Sequence, residues 1–390
     1  MIPYYFDNSS TTLVKPPSVA EGVAYAIHNF ANAGRAFYDN AMAAGREIYY
    51  TRAKIAKLIG IDDPFNVAFT SSFTDGLNLL TASLLEDGAS VITTRSEHNS
   101  VLRPLYLKKC AVSYLDCDSD GRVRPENFNS TNFRAHAASG TRFMFLNHAS
   151  NVTGAVSDAQ SFRKLCNDAG IALILDVSQT FGHIPVDADC ADIFVFTGHK
   201  GLFGPQGTGG IIINGSFDLR VARTGGTGDH SFEPLQPMTM PDVFEAGTHN
   251  TPGIYGLGKG VDFITETGID NIRRKESDLT LLFIDELRGI PGIRLYGGVD
   301  STDPGERVPV VSLNIGNISS AELSLYLWEK YEISTRPGVH CAPLLHKHLG
   351  TAEQGAVRFS FSYFNTDDEI RYAANALRQA SREFGFTKGD

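Results

Sequence analysis

Lys200 and Asp176 are the two residues whose types and positions best fit a shared chemistry, because both lie at the ends of apolar segments. Lys200 follows DIFVFT (192–197) in the glycine-rich stretch GHKGLFGPQGTG, so its surroundings should be buried. Desolvation lowers the pKa of a lysine, and an amine activated in this way can form a Schiff base with an aldehyde. A single lysine after a strand is usually a surface charge, so this prediction depends on Asp176, 24 positions earlier.

Asp176 lies at the end of the apolar run IALILDV (171–177). A carboxylate in that position is costly unless it faces a positive charge, and a protonated pyridine nitrogen would supply one. A ring kept protonated in this way acts as an electron sink for a carbanion at the α-carbon of a substrate. The alternative is that Asp176 caps the segment that follows it.

A third strand end offers a site for an anion. The segment SSFTDG (71–76) follows the apolar run NVAFT and opens a helix, whose N–H groups and dipole favour negative charge. A phosphate fits there, although Thr74 is equally well explained as a helix N-cap. Ligands of α/β sheets bind beyond the carboxyl ends of the strands, so the three strand ends predict one site.

The elements that must position these residues form an α/β pattern. Helical stretches at 74–85 and 158–169 alternate with apolar runs, which predicts a largely parallel sheet. The segment 216–250 is rich in Gly, Pro and Thr and reads as a long irregular connection, followed by a helical run to about residue 289 and a second, smaller α/β unit. The predicted strands of the first unit are NVAFT (66–70), SVITT (90–94), AVSYLD (111–116), TRFMFLNH (141–148), IALILDV (171–177), DIFVFT (192–197) and GGIIIN (209–214).

Composition narrows the class of protein without selecting a function. The 390 residues carry a formal net charge of -10, which argues against nucleic acid as a partner. No stretch has the length and apolarity of a membrane span, so no membrane association is predicted and a cytoplasmic location is expected by default. The five cysteines share no C-x-x-C spacing, and we therefore expect reduced thiols and no metal site.

The chain resembles the class V aminotransferase family of fold-type I pyridoxal-phosphate enzymes, and within it the branch of cysteine desulfurases and selenocysteine lyases. The resemblance implies a large domain (14–255) with a mostly parallel seven-stranded sheet that binds pyridoxal 5'-phosphate. It also implies a small α/β domain (1–13 and 256–390) and a homodimer. The motifs that carry it, in order, are FDNSSTT, AFTSSFTDGLN, SEHNSV, NHASNVTG, LDVSQTFGHIPVD, FTGHKGLFGPQGTG, FEAGTHNT, RPGVHCAP and AVRFSFSYFNTDDEI.

The resemblance assigns roles to residues of these motifs. Lys200 becomes the Schiff-base lysine and Asp176 the partner of the pyridine nitrogen, while Arg358 grips the substrate carboxylate. Taken alone, Arg358 would pair with a structural carboxylate and His98 would be a surface or helix-capping histidine. The other implied contacts are Gln179 and Asn151 to the phenolic oxygen of the ring, His98 stacked on the ring, Phe73, Thr74, Ser178 and His199 around the phosphate, Thr248 from the other subunit, and Arg336 and Asn151 near the substrate.

Cys341 carries the sulfur chemistry that the resemblance implies. It lies in RPGVHCAP, which is similar to the compact active-site loop of the group II desulfurases, and Arg336 or a protonated His340 would favour its thiolate. The thiolate would attack the sulfur of cysteine, or the selenium of selenocysteine, and leave a persulfide on Cys341 and alanine as product. A sulfur-acceptor protein is then a possible partner.

Other reactions of the family remain alternatives, since the fold alone does not name the reaction: transamination, C–S β-elimination, kynurenine hydrolysis and epimerisation. A catalytically silent relative would be expected to have lost Lys200 or Asp176. Two departures from the group II pattern bear on substrate preference. Ala33-Gly34-Arg35 replaces a His-Arg pair near the substrate entrance, and His249 stands where proline is common.

Overall fold

The structure, a computed structural model, describes residues 4–33, 36–138, 140–228, 231–298 and 306–387, apart from the side chains of residues 130, 132 and 136. Its largest sheet has seven strands. All seven were predicted from apolar runs, and their bounds agree with the prediction to within two residues. After the separate strand β1 (Tyr4–Tyr5), they are β2 (Val67–Thr70), β3 (Ser90–Thr94), β4 (Ala111–Leu115), β5 (Phe143–Asn147), β6 (Ala172–Asp176), β7 (Ile193–Thr197) and β8 (Gly209–Ile213).

The strand order of this sheet is β2-β8-β7-β6-β5-β3-β4. Only β8 runs antiparallel to its neighbours, so the predicted mostly parallel sheet is confirmed. Both faces are covered. Leu173 and Leu175 belong to one hydrophobic cluster while Ile174, between them, belongs to the other, which explains why the strands read as continuous apolar runs.

Helices cover the sheet and begin at recognisable caps. The Ser72 side chain accepts a hydrogen bond from the backbone N–H of Asp75, and the Asp158 side chain caps the helix that follows it in the same way. The helices in the described residues are α1 (Pro17–Asn29), α2 (Asp39–Ile59), α3 (Phe73–Leu84), α4 (Asn99–Leu107), α5 (Ser130–His136), α6 (Ala159–Ala169), α7 (Thr251–Thr267), α8 (Ile269–Leu287), α9 (Ser320–Tyr331), α10 (Pro343–His348) and α11 (Asp367–Glu383).

The C-terminal part forms a second, four-stranded antiparallel sheet in the order β12-β13-β10-β9. Its core contains Phe6, Phe283 and Phe359, so the N-terminal segment packs with the C-terminal part. Strand β1 pairs in parallel with β11. The strands are β9 (Ile293–Tyr296), β10 (Val310–Ile315), β11 (Ile333–Ser334), β12 (Arg336–Gly338) and β13 (Ala356–Ser360).

Two connections complete the architecture. The helical run predicted to about residue 289 is two helices, because the chain breaks at Gly268, whose φ of 83° few other residues adopt. The described parts of 216–250, at 216–228 and 231–250, contain neither helix nor strand, as predicted.

Among the helices described, none has both the length and the apolarity that a membrane crossing requires. Along α8, Ile272 packs in the core of the large sheet and Leu279 in that of the small one, and the division at residue 255 stays a prediction.

Candidate active site

A cavity of about 240 Å³ lies where the carboxyl ends of the parallel strands meet the N-terminal segment and β12–β13. It brings together residues that lie up to 349 positions apart, from Ser9 to Arg358. The predicted site residues on its wall are Phe73, Thr74, His98, Asn151, Asp176, Ser178, Gln179, His199, Lys200, Arg336, Cys341 and Arg358. Ser72, from the predicted anion-binding segment SSFTDG (71–76), also lines the cavity. The sequence did not single out the other lining residues Ser9, Ser10, Ser100, Asn147, Ala149 and Thr197.

Lys200 and Asp176 have the perturbed ionisation that the sequence predicts. Burial lowers the pKa of Lys200 to about 8; the nearby Asp176 carboxylate opposes the shift, and Arg358 adds to it. Burial raises the pKa of Asp176, although its Oδ1 accepts a 2.8 Å hydrogen bond from the backbone N–H of Ser178. The Asp176 side chain therefore caps the segment that follows it, which is the alternative weighed from sequence, and it also lines the cavity.

His98 combines its two predicted roles in one geometry. Its Nδ1 accepts a 3.0 Å hydrogen bond from the backbone N–H of Ser100, so the side chain caps α4 while its ring lines the cavity. Burial, with Lys200 and Arg358 nearby, lowers the pKa of His98 to about 4, and the ring is neutral near pH 7. The capping role is confirmed, and stacking on a cofactor ring stays a prediction.

The end of the cavity predicted to hold a phosphate is lined by polar groups. Ser72, and not Thr74, is the N-cap of α3; the Thr74 hydroxyl instead lies 2.8 Å from that of Ser100. Within the described chain, Ser178 Oγ and His199 Nδ1 are buried without a hydrogen-bond partner. Buried polar atoms of this kind are rarely left unpaired, and they fit the contacts of an anionic ligand.

Gln179 and Asn151 connect the cavity to two flanking segments. Gln179 Nε2 donates to the carbonyl of Ser9 at 3.2 Å, and Asn151 Nδ2 donates to the carbonyl of His340 at 2.8 Å. Each amide group carries two N–H donors, so each has a second one for a ligand. Their contact with a phenolic oxygen stays a prediction.

Arg358 has a carboxylate partner that the sequence did not identify. Its Nη2 lies 2.9 Å from Asp7 Oδ1 and 2.7 Å from Ser10 Oγ, and its Nη1 donates to the Asn151 carbonyl at 3.0 Å. Arg336, opposite it in the β12–β13 register, reaches the same carboxylate at 3.8 Å. The pairing of Arg358 with a structural carboxylate, which is the alternative weighed from sequence, is therefore present, and it lies at the wall of the cavity. The signal that could have found Asp7 is its place in the FDNSSTT motif.

Cys341 is exposed at the wall of the cavity, and the backbone at this position has an unusual conformation. His340 and Cys341 have positive φ angles of 49° and 57°, and the Cys341 carbonyl accepts a 2.7 Å hydrogen bond from the backbone N–H of Asn99. The suggestion that a protonated His340 favours the thiolate is wrong. Burial and the nearby Arg358 lower the pKa of His340 to about 3, so Arg336 is the remaining cation of the two proposed.

Thr248 does not line this cavity. It lies on a second cavity of about 220 Å³ together with Ser71 and Asp75 from the start of α3, and its contribution across a dimer interface stays a prediction. His249 Nε2 is 3.4 Å from Glu245 Oε2, a contact that proline at this position could not make. At the other departure from the group II pattern, Ala33-Gly34-Arg35, Ala33 packs against the core of the large sheet. Gly34 and Arg35 lie outside the described residues.

Glu97 is a further residue that the sequence did not single out. It is buried and accepts hydrogen bonds from the Thr94 hydroxyl at 2.8 Å and the Asn147 backbone N–H at 2.9 Å. It therefore joins the carboxyl ends of β3 and β5 directly before His98. Burial raises the pKa of Glu97 to about 8, so a neutral acid ties these strand ends together near pH 7.

Comparison with known proteins gives the family of the chain. The chain matches the family model described as "Aminotransferase class-V" over residues 4–372. It is 31% identical to a probable cysteine desulfurase of Methanothermobacter thermautotrophicus, over 96% of this chain and 94% of the relative. It is 29% identical to a cysteine desulfurase of Pectobacterium atrosepticum, over 98% and 94%.

A solved structure extends the likeness to three dimensions. The apo structure of a cysteine desulfurase from Thermococcus onnurineus NA1 superposes with a TM-score of 0.88 at 26% identity, covering 97% of this chain and 95% of that one. Sequence motifs, sheet topology and the match of the family model therefore agree over nearly the whole length. The chain belongs to the class V aminotransferase family.

Proposed function

We propose that this protein is a pyridoxal-phosphate-dependent cysteine desulfurase that converts L-cysteine to L-alanine and takes the sulfur on Cys341. The observation that carries the proposal is the meeting of an exposed thiol, Cys341, with Lys200 and Asp176 on the wall of one cavity. The named relatives support the same activity. The family uses pyridoxal 5'-phosphate as its cofactor.

The residues of the cavity fit this cofactor. Ser178 Oγ and His199 Nδ1, which lack partners among the described residues, would hold the phosphate beside the N-terminus of α3. Asp176, whose pKa burial raises despite the hydrogen bond from Ser178 and the nearby Lys200, would face the ring nitrogen. When bound, the cofactor supplies an aldehyde and an electron-withdrawing ring that stabilises negative charge at the substrate α-carbon.

Lys200 would act as the base of the reaction. With its pKa lowered to about 8, Lys200 is the free amine in about one molecule in ten at pH 7, far more than at the ordinary lysine pKa. A free amine can accept the proton of the substrate α-carbon. The neutral His98 ring would stack on the cofactor ring, and Asp176 would face the ring nitrogen.

Cys341 would carry out the sulfur transfer. Its thiolate attacks the substrate sulfur, an S–S bond forms on Cys341 and the substrate Cβ–S bond breaks. The electron pair of that bond stays with the three-carbon fragment, which takes up protons and leaves as alanine. Arg336 would favour the thiolate electrostatically.

Arg358 would bind the substrate carboxylate. Its guanidinium holds Asp7 and Ser10 at one side of the cavity, and a substrate carboxylate would share or replace the Asp7 contact.

The finer parts of the proposal follow from the resemblance: selenocysteine as a second substrate, a homodimer in which Thr248 completes the partner's site, a sulfur-acceptor protein, and a cytoplasmic location.

One experiment separates this proposal from the other reactions of the family. Purified protein is incubated with an excess of a dithiol reductant, which reduces the Cys341 persulfide and releases its outer sulfur as sulfide. Cysteine, selenocysteine, cysteine sulfinate and kynurenine are supplied in parallel, and alanine and sulfide or selenide are quantified. We expect alanine and sulfide in equal amounts from cysteine, and loss of sulfide release in Cys341→Ser. Lys200→Ala should lose the visible absorption of the bound cofactor. Full sulfide release by Cys341→Ser would contradict the proposed role of the thiol.

A further inference from the structure

Behind the Cys341 loop, two buried histidines and a threonine form a chain of hydrogen bonds. His340 Nε2 lies 3.0 Å from the carbonyl oxygen of Arg336, and His340 Nδ1 lies 3.1 Å from His346 Nε2. His346 Nδ1 in turn lies 2.8 Å from the hydroxyl of Thr351. His346 and Thr351 are on α10 and the turn after it, and neither lines the cavity.

The end of this chain fixes the direction of every bond in it. The Arg336 carbonyl can only accept, so His340 carries its proton on Nε2 and its Nδ1 is an acceptor. His346 must then donate through Nε2, and its Nδ1 must accept the Thr351 proton. That hydroxyl has a second, longer contact of 3.4 Å with the His346 carbonyl.

His340 must be neutral for this arrangement to hold, since a second proton on its Nδ1 would face the Nε2–H of His346. A neutral His346 then accepts the Thr351 proton at its Nδ1. Burial, with Arg358 and Arg336 nearby, lowers the pKa of His340 to about 3. Burial also lowers the pKa of His346 to about 4. The chain is therefore intact throughout the neutral pH range.

The loop needs such support because its backbone is strained. His340 and Cys341 are consecutive non-glycine residues at positive φ, a conformation that is unfavourable for residues with a side chain. On the cavity side the loop is held by hydrogen bonds from Asn99 and Asn151, which donate to the carbonyls of Cys341 and His340. On the side away from the cavity it is held by the hydrogen-bonded chain of His340, His346 and Thr351.

We propose that His346 and Thr351 are positioning residues for Cys341. Through the His340 ring they hold the backbone that aims the thiol at the cavity. The inference rests on the proposed role of Cys341, and the backbone it concerns is present whether or not the protein releases sulfide.

The test uses a matched pair of substitutions at His346. Glutamine places an N–H donor near the position of the histidine Nε2, so His346→Gln keeps the bond to His340, whereas asparagine mimics only Nδ1. We expect His346→Asn to lower kcat for sulfide release about tenfold or more with little change in KM, because displacing a reacting group by about 1 Å can lower the rate by that much. His346→Gln should keep kcat within about threefold of the parent, because it keeps the bond to His340. Hydrogen–deuterium exchange of the amides at 338–342 should rise in His346→Asn alone.

Two further pairs complete the design. His348, an exposed histidine two positions along the same helix, serves as the control, and His348→Asn and His348→Gln should leave both measurements unchanged. If His346→Asn fails to fold, Thr351→Val and Thr351→Ser test the same chain from its far end, and only the valine should raise loop exchange and lower kcat. Equal kcat and equal loop exchange within the pair tested would overturn the inference. Loop exchange decides it even if the parent protein releases no sulfide from cysteine.

Discussion

At the scale of single residues, burial sets the protonation states on which the site depends. The cavity wall carries a lysine whose pKa is lowered to about 8 and histidines at 98 and 199 whose pKa values are lowered to about 4. Near pH 7 the two histidines are therefore neutral, and Lys200 is in equilibrium between its charged form and its free amine. Proton transfer is consequently assigned to Lys200.

This protonation state predicts the pH dependence of cofactor uptake. Only the free amine of Lys200 can react with an aldehyde, so the rate at which the apo-protein takes up pyridoxal phosphate should rise with pH up to about 8 and level off above it. Because Asp176 raises the pKa of Lys200, Asp176→Asn should move the inflection to lower pH. Stopped-flow absorbance measures both. An inflection near pH 10 in the parent protein would show that Lys200 is not desolvated.

At the scale of elements, one buried ion pair connects the long irregular segment to the large sheet. Glu245 accepts hydrogen bonds from both Nη atoms of Arg52 on α2, at 2.7 and 2.9 Å, and from the backbone N–H of Phe69 on β2 at 2.6 Å. Arg52 and Glu245 are both almost fully buried. Thr248 and His249 follow within four residues, so the pair also fixes the part of the chain proposed to reach a second subunit.

Removing one partner of this pair should be strongly destabilising. Glu245→Ala leaves a buried guanidinium unpaired, which we expect to lower the free energy of unfolding by about 3–5 kcal/mol. The half-exposed pair Lys54–Asp262 on α2 and α7 is the control, since Asp262→Ala should cost less than about 1 kcal/mol. Denaturant unfolding of the three proteins measures the difference. Equal losses in both variants would mean that burial of Glu245 adds nothing.

The elements of the large sheet could be predicted from sequence, because strands buried on both faces are continuous apolar runs. The helical run predicted to about residue 289 is present, but its division at Gly268 was not predicted, because one residue with positive φ ends α7 without changing the apolar pattern. Site residues at strand ends, such as Lys200 and Asp176, could be predicted for the same reason. The contacts of Asp7 and Glu97 could not be predicted, because they join segments that are distant in sequence. The His340–His346 contact could not be predicted either, because it depends on how the Cys341 loop packs against α10.

At the scale of the whole molecule, the proposed homodimer makes a prediction about mixed dimers. In a dimer of one Lys200→Ala chain and one Thr248→Ala chain, one site would carry both defects and the other would carry none, provided that Thr248 acts across the interface. We therefore expect mixtures refolded together to regain activity up to one complete site per mixed dimer, while each variant alone is impaired.

Sulfide release and light scattering measure this complementation together with the mass of the species formed. Renatured Thr248→Ala alone serves as the control for partial activity. If Thr248 served its own chain, every site in the mixture would carry a single defect, and no activity would be regained.

The contact between Asp7 and Arg358 joins positions 351 residues apart, and it closes the wall of the cavity nearest the proposed substrate. A nascent chain emerging from the ribosome contains Lys200 and the complete large sheet well before residue 358 has been synthesised. The strand-end residues proposed to hold the cofactor are therefore synthesised long before the groups proposed to bind the amino acid and receive its sulfur. The proposed sulfur transfer consequently requires the chain through residue 358.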